Sequence, residues 1–578
     1  MPTLIRLWSR PVGSLVILFL TSLLYWGSEY LCRELWAPDE ARFAYVAKEM
    51  REEGHWLVPH RNGEYYAHKP PLMFWMINGA AAVLADGEIN GVTTRFPSLF
   101  GAVASLWSVV MLMRLWGRRR DDATAALLCA ATYLFAKQGG WGQIDMLLCG
   151  LEMLALLALF SQDAKPSFAK ALAAYCCMGL AILAKGPVGF LVPILVYLVA
   201  KFAAGERDDL RRHHWIWGPF VTLALPGLWL WFVLQSDPPA GYLDELLFAQ
   251  NIDRAQGEYG HREPFYYFLT YLPVDGLPWV ALLPFAWGAL AGSPEDRVLR
   301  RKLAGWMILV VVFFSLSPGK RNLYILLVYP ALALFMASAW SRFHESRALR
   351  EVEKALWRFP LILLSILFVL FLASGVLPWL SEQIATSSAS WRDKVIESLD
   401  LARTLPFPSA LPGLGIAIIL ILLVWHLTKR QPTAPWRLGL TWAVLFATMG
   451  GVILPILNDH KTPKELVPLV KEYVPPGGRL HLYRLNGENL ALYTGTCGKT
   501  LRSPEELAAM LAETPEGLIV FEERMWNDLP GDLAVRFSPH PFRLGGKRLI
   551  AARWGRSPLE SANTLDSQQP LLAKGPFG

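Results

Sequence analysis

The sequence predicts a polytopic α-helical membrane protein of about thirteen transmembrane helices followed by a small α/β domain, and three observations carry that prediction. Of the 578 residues 53% are hydrophobic, only 18% are charged and 24 are tryptophan, a balance foreign to ordinary soluble globules. Apolar runs close to the roughly 20 residues needed to cross a hydrocarbon core about 30 Å thick recur from residue 12 to about residue 457. Basic residues collect in every second loop between those runs, as cytoplasmic loops do.

The first run, 12–31, follows Arg6 and Arg10 and has no small-residue cleavage site after it, so it reads as a retained signal anchor. Further spans are expected near 96–116, 122–137, 145–161, 171–185, 187–203, 215–235, 273–292, 303–317, 322–341, 359–380, 408–428 and 437–457. The polar loop 32–95 contains HKPPLMFWMINGAAAVLA, whose Lys-Pro-Pro start and polar sequel DGEINGVTTRFP suit a helix lying along the interface. Loops assigned to the inside read RLWGRRR, KPSFAK, KFAAGERDDLRRHH, PEDRVLRRK, SRFHESRALREVEKALWR and TKRQPTAPWR. Those assigned to the outside hold PDEARFAY, YYAHKPP, KQGGWGQID, LAKGPVG, NIDRAQGEYGHREPFYY and SPGKRNLY, so every unusual polar cluster falls on one side.

The net charge of +7 is therefore a topology signal and does not indicate a nucleic-acid partner. The six cysteines give no paired framework: Cys129, Cys149, Cys176 and Cys177 lie in or beside apolar runs, where a thiol acts as a small hydrophobe.

After residue 457 the composition becomes that of a soluble domain, expected to span 458–555 on the outer face. RLHLYRL, NLALYTG, GLIVFEE and KRLIAARW read as strands, and SPEELAAMLAE as a helix with Ser503 as cap, Pro504 at its first position and Glu506 completing a capping box. No compact metal or nucleophile motif lies there, which points to a lid or docking role. The tail 556–578 has a disordered composition.

On the outer side, Pro38 suits a first helical turn, and Phe43, Val46, Ala47 and Met50 continue as an apolar stripe at helical spacing. Asp39 and Arg42, three apart, share a face. A carboxylate at a helix N-terminus is favoured by the dipole and is available there as acceptor or base, although capping and pairing with Arg42 account for it equally well on spacing alone. His68 and Lys69 sit against two prolines, Asp145 stands where an outer loop enters a span, and Lys185 lies in a tight reversal with two glycines. Arg254, His261 and Arg262 precede an aromatic run typical of an interfacial belt. His68 and His261 on one side suit a shared divalent metal, zinc or magnesium. Arg42, Lys69, Arg254, Arg262, Lys320 and Arg321 against two acids suit an anionic headgroup.

In their order along residues 1–460, PDEARFAYVAKEM, NGEYYAHKPPLMFW, LAKGPVGFLVP, REPFYYFLTYLPVDGLPWV and SPGKRNLYILLVYPALAL make the chain resemble the bacterial aminoarabinose transferases that modify lipid A, within the GT-C fold of lipid-phosphosugar glycosyltransferases. The resemblance implies a GT-C-like enzyme of the inner membrane whose site faces the periplasm and takes a sugar from undecaprenyl phosphate to lipid A or a related acceptor, with inversion expected. It implies that Asp39 is the required acid of the first outer loop, Asp145 the second-loop acid, Lys69 the lysine facing the carrier phosphate, Arg42 the support of Asp39, and Tyr324 the tyrosine after the outer lysine, Lys320. Two positions depart from the family: His68 replaces the glutamate before Lys-Pro-Pro, and Gln250-Asn251 replaces a Glu-His pair. A monomer amid membrane lipids is expected. A GT-C transferase acting on protein or polysaccharide, or a flippase for an anionic lipid, are the alternatives.

Overall fold

The computed structural model describes residues 10–206, 216–246, 262–343, 347–373, 406–428, 435–474, 478–485, 487–496, 498–544 and 547–555. Arg254, His261 and the tail 556–578 lie outside these described residues. The chain groups into two compact units: Met1–Glu34, Val46–His60 and Tyr65–Leu457 form the first, and Leu35–Tyr45, Arg61–Glu64 and Asn458–Gly578 the second.

The described residues of the first unit are predominantly helical. By length and composition, eight of its described helices suffice to cross a bilayer, or nine when a bent pair is taken as one span. These overlie nine of the thirteen expected spans. The expected span 273–292 is the bent pair Tyr267–Asp275 and Val280–Ala289, broken by 100° around Pro278, which has no N–H to donate to the helical ladder. The other four expected spans are also helical but short or charged. Span 122–137 is two helices, Asp122–Ala130 and Tyr133–Gly140, between which Tyr133 N donates to Leu277 O instead of continuing its own helix. Val188–Ala204 and Val328–Phe343 have 17 and 16 residues. The run 303–317 is the apolar end of Pro294–Ser315, which begins with a charged segment capped by Ser293. The helix expected along the interface in loop 32–95 corresponds to Leu72–Leu84, 13 residues long, which at 1.5 Å per residue rises about 20 Å and falls short of a crossing.

Close backbone approach sets the helix packing near the candidate site. A β-carbon on Gly101 would overlap the Met146 backbone, and one on Gly150 would overlap Gly101, so Gly91–Leu115 and Ile144–Ala164 pack through a glycine seam as membrane helices commonly do. At the other end of the bundle, the basic loops read as cytoplasmic are neutralised locally. Asp296 joins Arg118 and Arg342; burial pushes its carboxyl up, but the Ser293 hydroxyl and the two guanidinium groups hold it down at about 2. Lys201 and Lys302 share Glu206 at 3.0 and 2.8 Å.

In the second unit a five-stranded sheet runs in the order 498–501, 480–483, 517–522, 547–554, 538–544. The first three strands are parallel and the remaining pairings antiparallel. Alternate residues serve opposite faces: Leu518 and Val520 pack with Leu466 and Val470, whereas Ile519 and Phe521 pack with Leu507 and Met510. The helix Pro504–Glu513 has the expected cap and first proline, with Ser503 Oγ accepting from Glu506 N, but the Glu506 carboxylate accepts from Arg502 N and not from Ser503 N, so the return bond of the expected capping box falls one residue earlier. NLALYTG, expected as a strand, is the helix Glu488–Thr494: Leu490 and Ala491 are adjacent and both buried, and Gly495 ends the helix in the left-handed region at φ +70°. Ser538–Leu544, missed in the sequence because of Pro539 and Pro541, is an edge strand, where prolines are tolerated.

One pH dependence follows for this unit. Burial, with the charges of Lys499 and Arg479, lowers the His481 pKa below its ordinary value, so the folded chain holds the ring neutral. Below about pH 6.5, the ordinary histidine pKa, the unfolded chain binds a proton that the folded one refuses, and stability falls as pH drops from there toward the folded value. His481→Gln is expected to flatten this loss, measured as the difference in the unfolding transition of the full chain between pH 7.5 and 5.5.

Candidate active site

The loop 32–95 enters the second unit at residue 35, where Tyr493 Oη donates to Leu35 O at 2.9 Å and Trp36 Nε1 donates to Asn458 Oδ1 at 3.2 Å. From there the helix Asp39–Glu53 begins. The expected apolar stripe holds: Phe43, Val46, Ala47 and Met50 are all buried. Asp39 is 5% exposed and pairs through Oδ1 with Arg42 Nη2, one turn on. Its helix dipole favours the carboxylate and the guanidinium holds its orientation.

The first unit assembles a second constellation. Asp145 lies in the opening turn of Ile144–Ala164 and Lys185 closes Phe168–Lys185, so each charge sits at the helix end that favours it. Lys185 Nζ donates to Asp145 Oδ1 at 2.5 Å and stands 4.4 Å from the centre of the Tyr324 ring, a cation–π contact. Lys69 and Arg321 are close enough for their charges to act on the same carboxylate. One local reason for the placement of Lys185 is the turn after it: Gly186 takes φ +100°, which a side chain would strain, and a β-carbon on Gly189 would come within 2.5 Å of the Ala181 backbone. Tyr324 is held on a short 3-10 turn, Asn322–Ile325, and Asn322 Nδ2 donates to Asp275 Oδ2 at 3.2 Å.

Of two expected cations, one meets the backbone through its ammonium and the other only through its own main chain. Lys320 Nζ donates to Glu263 O at 2.8 Å, and Arg262 forms an antiparallel bridge with Gly319. Burial lowers the Lys320 pKa, with the charge of Glu263 acting the other way. His68 Nε2 lies 3.4 Å from Glu245 Oε1, and its ring stacks on Tyr66. Among the described residues no three histidine, cysteine or acidic side chains gather as a metal site; His68 and Glu245 supply two donors. Sequence reasoning missed Glu245, which sits in the unremarkable LDELLF, and Glu152, a buried acid two turns from Asp145 that lies within reach of the charges of Lys185 and Asp145. Its spacing of seven from Asp145 was the available signal.

The chain matches the family profile described as Dolichyl-phosphate-mannose-protein mannosyltransferase over residues 68–231 and that described as Alg9-like mannosyltransferase family over residues 246–400. It is 28% identical over 460 residues to the undecaprenyl phosphate-alpha-4-amino-4-deoxy-L-arabinose arabinosyl transferase 2 of Sodalis glossinidius, covering 76% of each chain. With the arabinosyl transferase of Serratia proteamaculans it shares 30% identity over 321 residues, and this match spans about half of either protein, 53% of this chain and 55% of the relative. The crystal structure of ArnT from Cupriavidus metallidurans bound to undecaprenyl phosphate superposes with a TM-score of 0.70 at 20% identity, over 95% of this chain and 99% of that one, which establishes a common fold. The chain thus shares a GT-C fold with that structure and is similar in sequence to the bacterial undecaprenyl phosphate-aminoarabinose arabinosyl transferases.

Proposed function

We propose that this protein is an integral membrane glycosyltransferase that moves a sugar, aminoarabinose by similarity, from undecaprenyl phosphate to lipid A or a related acceptor on the periplasmic side of the inner membrane. The observation that carries the reading is the Asp145–Lys185–Tyr324 constellation, with the charges of Lys69 and Arg321 on it, in a chain similar to transferases named for that donor.

When the glycosidic bond breaks, the carrier phosphate leaves with the bonding electrons, and fixed cations stabilise that charge. In the proposal Lys69, Lys185 and Arg321 do this, and Arg254 and Arg262 add positive charge on the same side. Asp39, steadied by Arg42, orients the sugar and stabilises positive charge at its anomeric carbon when the acceptor is a phosphate, which is already nucleophilic. With a hydroxyl acceptor it takes the proton as general base. A single displacement inverts the anomeric centre, and a product retaining the donor configuration counts against it. The full chain in nanodiscs is to be given undecaprenyl phosphosugars and lipid A. The expected result is labelled lipid A with release of undecaprenyl phosphate; an intact donor with every sugar and acceptor overturns the reading. Sugar found on protein favours the second reading, which the mannosyltransferase profile over residues 68–231 supports.

The metal expected at His68 and His261 is a separate proposal. His68 and Glu245 would be its described ligands, and it would add positive charge at the leaving phosphate; no step above runs through it. Two described donors are fewer than the three protein ligands usual for a catalytic zinc. Transfer that survives EDTA removes the metal from the account; transfer lost to EDTA and restored by zinc or magnesium supports it.

A further inference from the structure

Segment 318–324 carries two of the groups that surround the Asp145–Lys185 pair: Arg321, whose charge acts on Asp145, and Tyr324, whose ring faces the Lys185 ammonium. Tyr324 N donates to Arg321 O at 3.0 Å, so both belong to one turn, and Asn322 lies inside it. A 3-10 turn this short has few bonds of its own, so its aim depends on what holds it from outside. Before Arg321, Glu263 N donates to Pro318 O at 3.0 Å and Lys320 Nζ to Glu263 O at 2.8 Å. Within the turn the hold is Asn322 Nδ2, which lies 3.2 Å from Asp275 Oδ2 and 3.4 Å from Oδ1.

Asp275 closes the helix Tyr267–Asp275 at the 100° break and is 2% exposed. The Asn322 amide is its one side-chain hydrogen-bond partner among the described residues, and it forms no ion pair there; Lys137 acts on it by charge only. An acid shielded inside a membrane helix bundle is costly, and such residues mark functional places by default. Here the site already described lies two residues from its partner. A carboxyl that offers two acceptor oxygens to one amide fixes the rotation of the turn as well as its position.

We propose that Asp275 is a positioning residue for transfer: through Asn322 it sets the turn that aims Arg321 at Asp145 and seats Tyr324 against Lys185. The proposal rests on the role given above to the Asp145–Lys185–Tyr324 constellation. It adds a residue that touches neither donor nor acceptor and acts only through the turn.

The test uses the full chain in nanodiscs and has two readings: transfer from an undecaprenyl phosphosugar per folded molecule, and hydrogen exchange of the Tyr324 and Leu326 amides, which donate within the turn. Asn322→Asp sets two carboxyl groups against each other. It should lower kcat about a hundredfold, the cost of displacing positioned groups by about 1 Å, and speed exchange about tenfold, the worth of one buried hydrogen bond. Asp275→Asn keeps an oxygen that accepts from the Asn322 amide and should cost only a few-fold. The swap Asp275→Asn/Asn322→Asp reverses donor and acceptor and should bring both readings back to within a few-fold of wild type. A pair that serves folding alone changes the yield and the melting temperature but leaves kcat per folded molecule near wild type, and that outcome overturns the proposal. So does a swap no better than Asn322→Asp. If the wild type itself transfers nothing, the proposed function falls and exchange alone judges the anchor: faster exchange restored by the swap supports it, and unchanged exchange in Asn322→Asp overturns it.

Discussion

Asp39→Asn is expected to lower transfer from an undecaprenyl phosphosugar by about 10³-fold, within the range of a positioned acid or base, while the protein stays folded. Asparagine keeps the size of the side chain and remains a good residue at the start of a helix. The structural loss is limited to one charge at the helix N-terminus, about 0.3–1 kcal/mol, and the partner of Arg42, whose side chain is partly exposed. The kinetic split tells the roles apart. A carboxylate acting on the developing anomeric charge is felt in kcat, with KM for the donor nearly unchanged. A carboxylate that only caps the helix gives a lower melting temperature and near-normal transfer, and that outcome removes Asp39 from the chemistry. Arg42→Lys keeps the charge but loses the fork that fixes the carboxylate, so it should show a smaller loss in kcat of the same kind.

The Asp39–Arg42 pair was legible in the sequence because its evidence is local: a proline, a carboxylate and an arginine one turn on, then an apolar stripe. The spans were legible for the same reason, since each apolar run overlies a helix. The breaks were less so. Ala131–Thr132 separates two helices because Tyr133 finds a carbonyl at Leu277, a contact nearly 150 residues away that no periodicity encodes. The pairing of Asp145 with Lys185 was likewise invisible. It depends on glycine seams at Gly101, Gly150 and Gly189 that bring backbones together, and on a turn that sets Tyr324 under the ammonium. Lys320 shows the opposite failure: counted among the cations of an outer surface, it is buried and donates to a backbone carbonyl. A charged residue in a loop announces its charge to a reader of sequence but not its partner.

The Asp145–Lys185 pair supplies the second large effect, and its design separates scaffold from chemistry. Both side chains are shielded, 9% and 14% exposed, so removing one partner strands the other; breaking a buried pair costs about 3–5 kcal/mol. Lys185→Met and Asp145→Asn are each expected to lower the unfolding transition of the full chain markedly. Combined, they leave no uncompensated charge, and a buried pair replaced by groups of similar volume is often neutral. The double variant should therefore regain most of the stability lost by Lys185→Met. Transfer should not return with it: the leaving phosphate still lacks the Lys185 ammonium, a deficit of at least about a hundredfold if the cation stabilises developing charge as a preorganised donor does. Lys185→Arg keeps the charge and should hold both stability and measurable transfer. Recovery of stability and transfer together in the double variant would make the pair a structural clamp only, and the cations on the carrier phosphate would then be sought at Lys69 and Arg321.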